Sequence, residues 1–277
     1  MQVNARQRQT GAIGGFRYIG GGLSDPFQPC ERDYKVSLNA LKIFAETQYP
    51  VIVSTKGMLI TQEPYINLVE RANIVVQISM ACSSYDKLEP GAPTFEQRLE
   101  MIKILKGKAK KVICRIQPFI CNVGNEIINN IHRMAEAGAD GVTVEAMKFK
   151  KKKPGLVRVG GDYTYPTNIL LGYYTRIKEQ CHSNGIEFYC AENRLRKLGN
   201  STACCGCGDL SGFTGNSFNA VSLFNGSNAK PTNKMLQVGT ASCFKAIHQD
   251  TLGAIMLRNK SFANIQIEEL QKLKASR

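Results

Sequence analysis

The sequence predicts an α/β protein built on a parallel sheet covered by helices, either open or curled into a barrel. Two observations point there. Short apolar runs of strand length alternate with segments of helical period from Phe16 to about residue 195, the rhythm of repeated strand–helix units. Nearly every apolar run also ends on a hydrogen-bonding or charged residue, as expected where chemistry collects at the carboxyl ends of parallel strands.

Six strands are expected, starting at Phe16 (FRYI), Val51 (VIVS), Ile74 (IVVQI), Val112 (VICRI), Gly141 (GVTVE) and Glu187 (EFYC). Between them lie helices. In TFEQRLEMIKIL, Thr94 has the spacing of a capping box with Gln97, and Leu99, Ile102 and Leu105 share a face. In NEIINNIHRMAEAGADG, Ile127, Ile128, Ile131, Met134 and Ala135 share another, with Gly138 as the stop. Beyond about residue 195 the alternation decays into a Gly-, Ser- and Asn-rich stretch that reads as long loops, a lid or flap, before a last helix over IQIEELQKLKAS. The expected organisation is a flexible N-terminus (1–15), a strand–helix domain (16–195) and a loop-rich C-terminal extension with helices (196–277).

The residues that follow the strands define a candidate site. Gly20, Gly21, Gly22, Ser24 and Asp25 follow the first, Thr55 and Lys56 the second, Ser79 the third. Arg115 and Gln117 end the fourth, Glu145 the fifth, and Glu192 and Asn193 lie past the sixth. Arg115 and Gln77 stand inside runs that otherwise read as core, and a buried charge must be paired or serve a ligand. Together these residues suggest a polar cup of mixed charge, suited to a zwitterionic or polyanionic ligand.

The net charge of +14 over 277 residues exceeds what solubility requires. It fits nucleic acid or an anionic cofactor as partner, and equally a lysine-coated surface without one. The sharpest basic run, MKFKKKKPG from Met147, reads as a solvated loop or a phosphate contact. No apolar run approaches the roughly 18 residues of a membrane span, and no apolar signal core opens the chain. Ten cysteines without such a signal point to the cytoplasm and to buried thiols or metal ligation. The chain contains no GxxxxGK[ST], HExxH or GxSxG motif, which removes Walker-type nucleotide sites and two hydrolase classes.

Four segments in order, GGGLSDPFQPCE, VSTKGMLI, VQISMACSSYDKLEPGAPTFEQRLEMIKIL and RIQPFI, resemble radical S-adenosylmethionine proteins of the spore photoproduct lyase-like group. The likeness spans about residues 16 to 195. In that group a strand ends in Ser/Thr-Asp-Pro-Phe/Tyr-Gln-Pro and an acid. A Thr-Lys strand follows, then Glu-Pro-Gly-Ala-Pro with an arginine nine residues after its glutamate, here Glu89 and Arg98. The resemblance implies a partial (β/α) TIM-like barrel lacking its first strand, with S-adenosylmethionine at the strand ends. Gly20, Gly21 and Gly22 would line the cofactor beside Ser24 and Asp25. Lys56 would pair with its carboxylate and Ser79 would contact ribose or carboxylate. Arg98 would anchor the carboxylate or pair with Glu89 to set the loop.

The family holds a [4Fe-4S] cluster through CxxxCxxC upstream of the glycine-rich strand. That motif occurs nowhere here, and none of the residues before Phe16 is cysteine. The expectation is therefore an N-terminally truncated enzyme core whose cluster ligands lie outside the chain, inactive alone. Cys204, Cys205 and Cys207 remain as an auxiliary cluster site, a hydrogen donor or a thiol cluster without function. The resemblance also implies a cysteine hydrogen donor two residues before Ser24, where this chain has Gly22, an argument against photoproduct repair. Two other readings stay open: a basic, non-catalytic nucleic-acid-binding barrel, and a lyase or aldolase using Lys56 as a Schiff-base amine.

Overall fold

The computed structural model describes Arg17–Ile19, 25–201, 204–208 and 210–211. Gly20, Gly21, Gly22 and Ser24, expected at the site, and the expected last helix lie outside the described residues. All described residues except Arg17 fall within one compact unit, Tyr18–Ser211.

The strands in chain order are β1 (Arg17–Ile19), β2 (Val51–Thr55), β3 (Ile74–Ser79), β4 (Lys111–Phe119), β5 (Gly141–Ala146), β6 (Val157–Val159), β7 (Asp162–Thr164) and β8 (Glu187–Cys190). Six of them form one sheet in the order β1-β2-β3-β4-β5-β8, and the pairs from β2 to β8 are parallel. These are the six strands expected. Among the described residues the helices are α1 (Glu31–Tyr34), α2 (Val36–Thr47), α3 (Tyr65–Arg71), α4 (Phe95–Leu105), α5 (Gly124–Asn129), α6 (Ile131–Ala137) and α7 (Thr167–Ser183). The architecture is a partial TIM-like barrel in which each parallel crossover carries a helix.

The two faces of the sheet differ. Alternate residues, such as Val53, Val76, Cys114, Val142 and Phe188, are fully or almost fully buried with Leu41, Val69, Ile102, Ile131 and Ile177 of the helices in one apolar core. The residues between them, Ser54, Gln77, Arg115, Thr143 and Glu145, are polar and face the other way. On that side the strands start apolar, at Ile52, Val75 and Ile113, and turn polar toward their carboxyl ends. Here the inner side carries the polar chemistry.

Local signals explain the helix ends. Thr94 Oγ1 accepts from Gln97 N at 3.3 Å while Gln97 Oε1 accepts from Thr94 N at 2.8 Å, the reciprocal cap of α4. Gly138 closes α6 at φ +104°, a conformation costly for a side chain. Glu31, the acid after the Gln-Pro step, is buried and caps α2, accepting from Ser37 N at 2.9 Å and Leu38 N at 2.8 Å. Its negative charge lies where helix N–H groups point outward.

Three expectations change. The single helix across NEIINNIHRMAEA is two, parted at Asn130, whose side chain donates to Glu126 O at 2.9 Å and competes with the backbone ladder. The lysine-rich run leads into an antiparallel hairpin, β6–β7, with Lys150 paired to Asp162 at 2.7 Å. And the cysteine-bearing stretch, expected in a lid or flap of the extension, lies against the inner face of the sheet. Thr143 Oγ1 donates to Cys204 O at 2.7 Å, Gln77 Nε2 to Cys205 O at 3.2 Å, and Asn73 Nδ2 to Ser211 O at 2.7 Å. The polar inner face draws it in by satisfying its backbone carbonyls.

Candidate functional site

The site grows from the end of β2. Asp25 Oδ1 accepts from Phe27 N at 2.8 Å, an Asx turn that sets up the following prolines. The same oxygen accepts from Thr55 Oγ1 at 2.6 Å, and Oδ2 accepts from Lys56 N at 2.6 Å. Asp25 thus staples the Asp-Pro turn to the end of β2 and orients Lys56. A cofactor contact was expected of this carboxylate; three protein donors meet it, two at Oδ1 and one at Oδ2. Gly57 permits the approach, since a Cβ there would sit 2.5 Å from Phe27 O.

From that anchor a charged bridge crosses the strand ends. Lys56 Nζ lies 2.6 Å from Glu89 Oε1, and Arg98 Nη2 lies 2.7 Å from Glu89 Oε2. Arg98 Nη1 donates to Ser79 O at 2.8 Å. Arg98 is 3% exposed while the Lys56 side chain is 36% exposed, so one cation is structural and the other presents a face to solvent. Burial alone would raise the carboxyl of Glu89, but hydrogen bonds from Lys56 and Arg98, with their charges, outweigh it and hold the group below its usual range. Of the two roles open to Arg98, pairing with Glu89 is the one observed.

Lys56, Ser79, Glu89 and Arg98 line a single small hollow of about 10 Å³ with Met80, Ala81, Tyr85 and Gln117. This is room for one small polar group, about the size of a water molecule. Arg98 Nε is buried beside it and has no hydrogen-bond partner among the described residues. A buried donor left unpaired is costly. Lys56, Ser79 and Arg98, which came from three separate motifs, therefore stand together. Glu89 joins them as the shared anion. Gln117, expected in the polar cup at the strand ends, lines the hollow too; Tyr85 was not among the expected site residues and carries no signal that separates it from core.

The Schiff-base reading of Lys56 needs a free amine, and Lys56 is engaged in an ion pair. Among the described residues no group of three His, Cys, Asp or Glu side chains gathers to hold a metal ion. The auxiliary-cluster reading of Cys204, Cys205 and Cys207 accordingly lacks a ligand set there. Cys204 and Cys205 are half-buried with Sγ atoms 3.6 Å apart, and Cys207 is buried.

No family model matches the chain. Over 143 residues, 49% of its length, it is 24% identical to uncharacterized proteins of Mycobacterium bovis and Mycobacterium tuberculosis. It spans 42% of those relatives, less than half their length. By structure, the parallel sheet and its helices define a partial TIM-like barrel. Solved structures of spore photoproduct lyase are among those similar to it. Two cysteine-substituted variants superpose with TM-scores of 0.51 and 0.53 at 16% and 15% identity, each covering 63% of this chain and 61% of the other. A tyrosine-substituted variant gives 0.50 at 17% identity, covering 65% and 61%. At such identities the likeness is one of fold.

Proposed function

We propose that this chain is the cofactor-binding core of a radical S-adenosylmethionine enzyme, holding the methionine end of S-adenosylmethionine at the carboxyl ends of β2, β3 and β4. The observation that carries this reading is the convergence of Lys56, Ser79 and Arg98 on one hollow. Their chemistry suits the ligand. The exposed side of Lys56 offers an ammonium to the cofactor carboxylate, and the unpaired Arg98 Nε offers a buried donor to one of its oxygens. Glu89 keeps both cations in place. Asp25 orients Lys56 through its backbone, and Gly20, Gly21, Gly22 and Ser24 complete the strand end on this reading. The hollow takes one functional group of the cofactor, and the rest of the molecule lies over the mouth.

In proteins of this class a reduced [4Fe-4S] cluster supplies the electron for radical chemistry on the bound cofactor. The described residues do not fit that cluster, having no set of three thiolates for it. This chain's own contribution is to bind and orient the cofactor and to exclude water from it. The substrate on this reading is open to nucleic acid: spore photoproduct lyase is the structural match, and the exposed lysines Lys151, Lys152 and Lys153 lead into β6 at the same end of the sheet. Calorimetric titration of the full chain with S-adenosylmethionine tests the proposal. Saturable binding is expected, weakened about tenfold by Lys56→Ala, the loss of one exposed charge-assisted contact worth about 1.4 kcal/mol. A basic nucleic-acid-binding barrel would instead show no cofactor binding and a steep salt dependence of nucleic-acid affinity.

A further inference from the structure

The cofactor reading leaves Cys204 and Cys205 unused, although their setting is unlike that of the other thiols. Burial pushes Cys181 up to about 12 and Cys190 up to about 11, as expected of inert core thiols. Cys204 moves the opposite way, to about 6. The largest cause is the hydrogen bond from the Cys205 thiol, which overcomes burial; the Arg196 guanidinium adds to it and the Glu145 carboxylate opposes it. Cys205 is raised in turn by that hydrogen bond, by burial and by the nearby charges of Cys204 and Cys207, against a lowering by Arg115.

The geometry underlies these shifts. The two Sγ atoms are 3.6 Å apart in a turn whose carbonyls are pinned by Thr143 and Gln77. Neighbouring side chains in extended backbone point to opposite sides; this turn brings them to the same side and the sheet holds it there. Neither residue is fully enclosed, unlike Cys114, Cys181 and Cys190.

We propose that Cys204 and Cys205 form a two-thiol exchange site for low-molecular-weight disulfides, with Cys204 attacking and Cys205 resolving. The Cys204 thiolate attacks one sulfur of the disulfide RSSR. The S–S bond breaks, a Cys204–SR mixed disulfide forms, and RS⁻ leaves and takes a proton from water. Cys205 then loses its proton, attacks Cys204 Sγ and expels the second RS⁻. The two protein thiols are oxidised by two electrons and RSSR is reduced to two RSH. Adjacent Cα atoms lie only about 3.8 Å apart, below the roughly 4.4–6.8 Å of ordinary disulfides. The product is strained and readily reversed by excess thiol. This site does not depend on the cofactor proposal.

The reduced full chain, alkylated with iodoacetamide at pH 6 and mapped by mass spectrometry, provides the first test. A thiol at about 6 is half ionised there, roughly 150-fold more than one at about 8.5, and its lower intrinsic nucleophilicity takes back about tenfold. Cys204 is expected to react about tenfold faster than a free cysteine peptide. Oxidised glutathione should then remove two hydrogens from the Cys204–Cys205 pair, and Cys205→Ser should stop at one glutathione on Cys204. Reaction of Cys204 no faster than the peptide overturns the proposal. So does a disulfide that joins Cys207 instead, or thiols that become reactive only after a metal chelator is added.

Discussion

The two faces of the sheet are cut from the same strands, residue by residue in alternation, yet they are held by different forces. Toward the helices, Val76, Ile78, Cys114 and Val142 sit in a closed apolar core with no need of a partner beyond packing. Toward the inside, Gln77 and Thr143 use their side chains to hold backbone carbonyls of the Cys204–Ser211 stretch, and Ser79 adjoins the charged bridge at the strand ends. The outer face gives the barrel its stability. The inner face gives it a polar wall on which a segment and a ligand can be placed.

Substitutions on the two faces sharpen that contrast. The largest loss is expected on the outer side: Ile78→Ala should cost about 3–4 kcal/mol by removing buried methyl groups and leaving a cavity, read as a lower urea midpoint at unchanged slope. Next comes the charged bridge. Glu89→Gln strands the buried Arg98 guanidinium and should cost about 2–3 kcal/mol at neutral pH.

Its pH dependence has a definite sign. The Glu89 carboxyl is held below its usual range in the folded chain. Its contribution is complete above the unfolded value of about 4.3 and is lost as pH falls through the lower folded value. The difference in stability between wild type and Glu89→Gln should shrink along that acid limb. A constant difference would contradict the bridge.

On the inner face, Gln77→Ala leaves Ser54 Oγ and the Cys205 carbonyl without their partner. The expected cost is about 1–2 kcal/mol, together with faster proteolysis within 204–211. An effect as large as that of Ile78→Ala would erase the distinction between the faces. The smallest change, about 1 kcal/mol, is expected for Thr94→Ala, which removes the α4 cap without touching either face.

The strands were legible because each is a short apolar or aromatic run set between helical segments, and the α4 cap and the Gly138 stop because those signals are local. The meeting of Lys56, Ser79 and Arg98 was legible through motif order. The stapling role of Asp25 was not legible, since a carboxylate at a strand end looks the same in sequence whether or not it accepts from Thr55 and the Lys56 N–H. The path of residues 204–211 was hidden for a different reason: what holds it is Gln77, Thr143 and Asn73, more than sixty residues away in sequence or close to it. The β6–β7 hairpin was hidden because its strands are only three residues each, too short to show a period.

The central claim is that S-adenosylmethionine seats at the ends of β2 and β3. Amide hydrogen exchange of the full chain with and without the cofactor tests it most directly. Slowed exchange is expected at residues 55–57 and 79–81 and around Glu89, with none at the β6–β7 hairpin. Unchanged exchange at saturating cofactor, or protection confined to the hairpin, would contradict it.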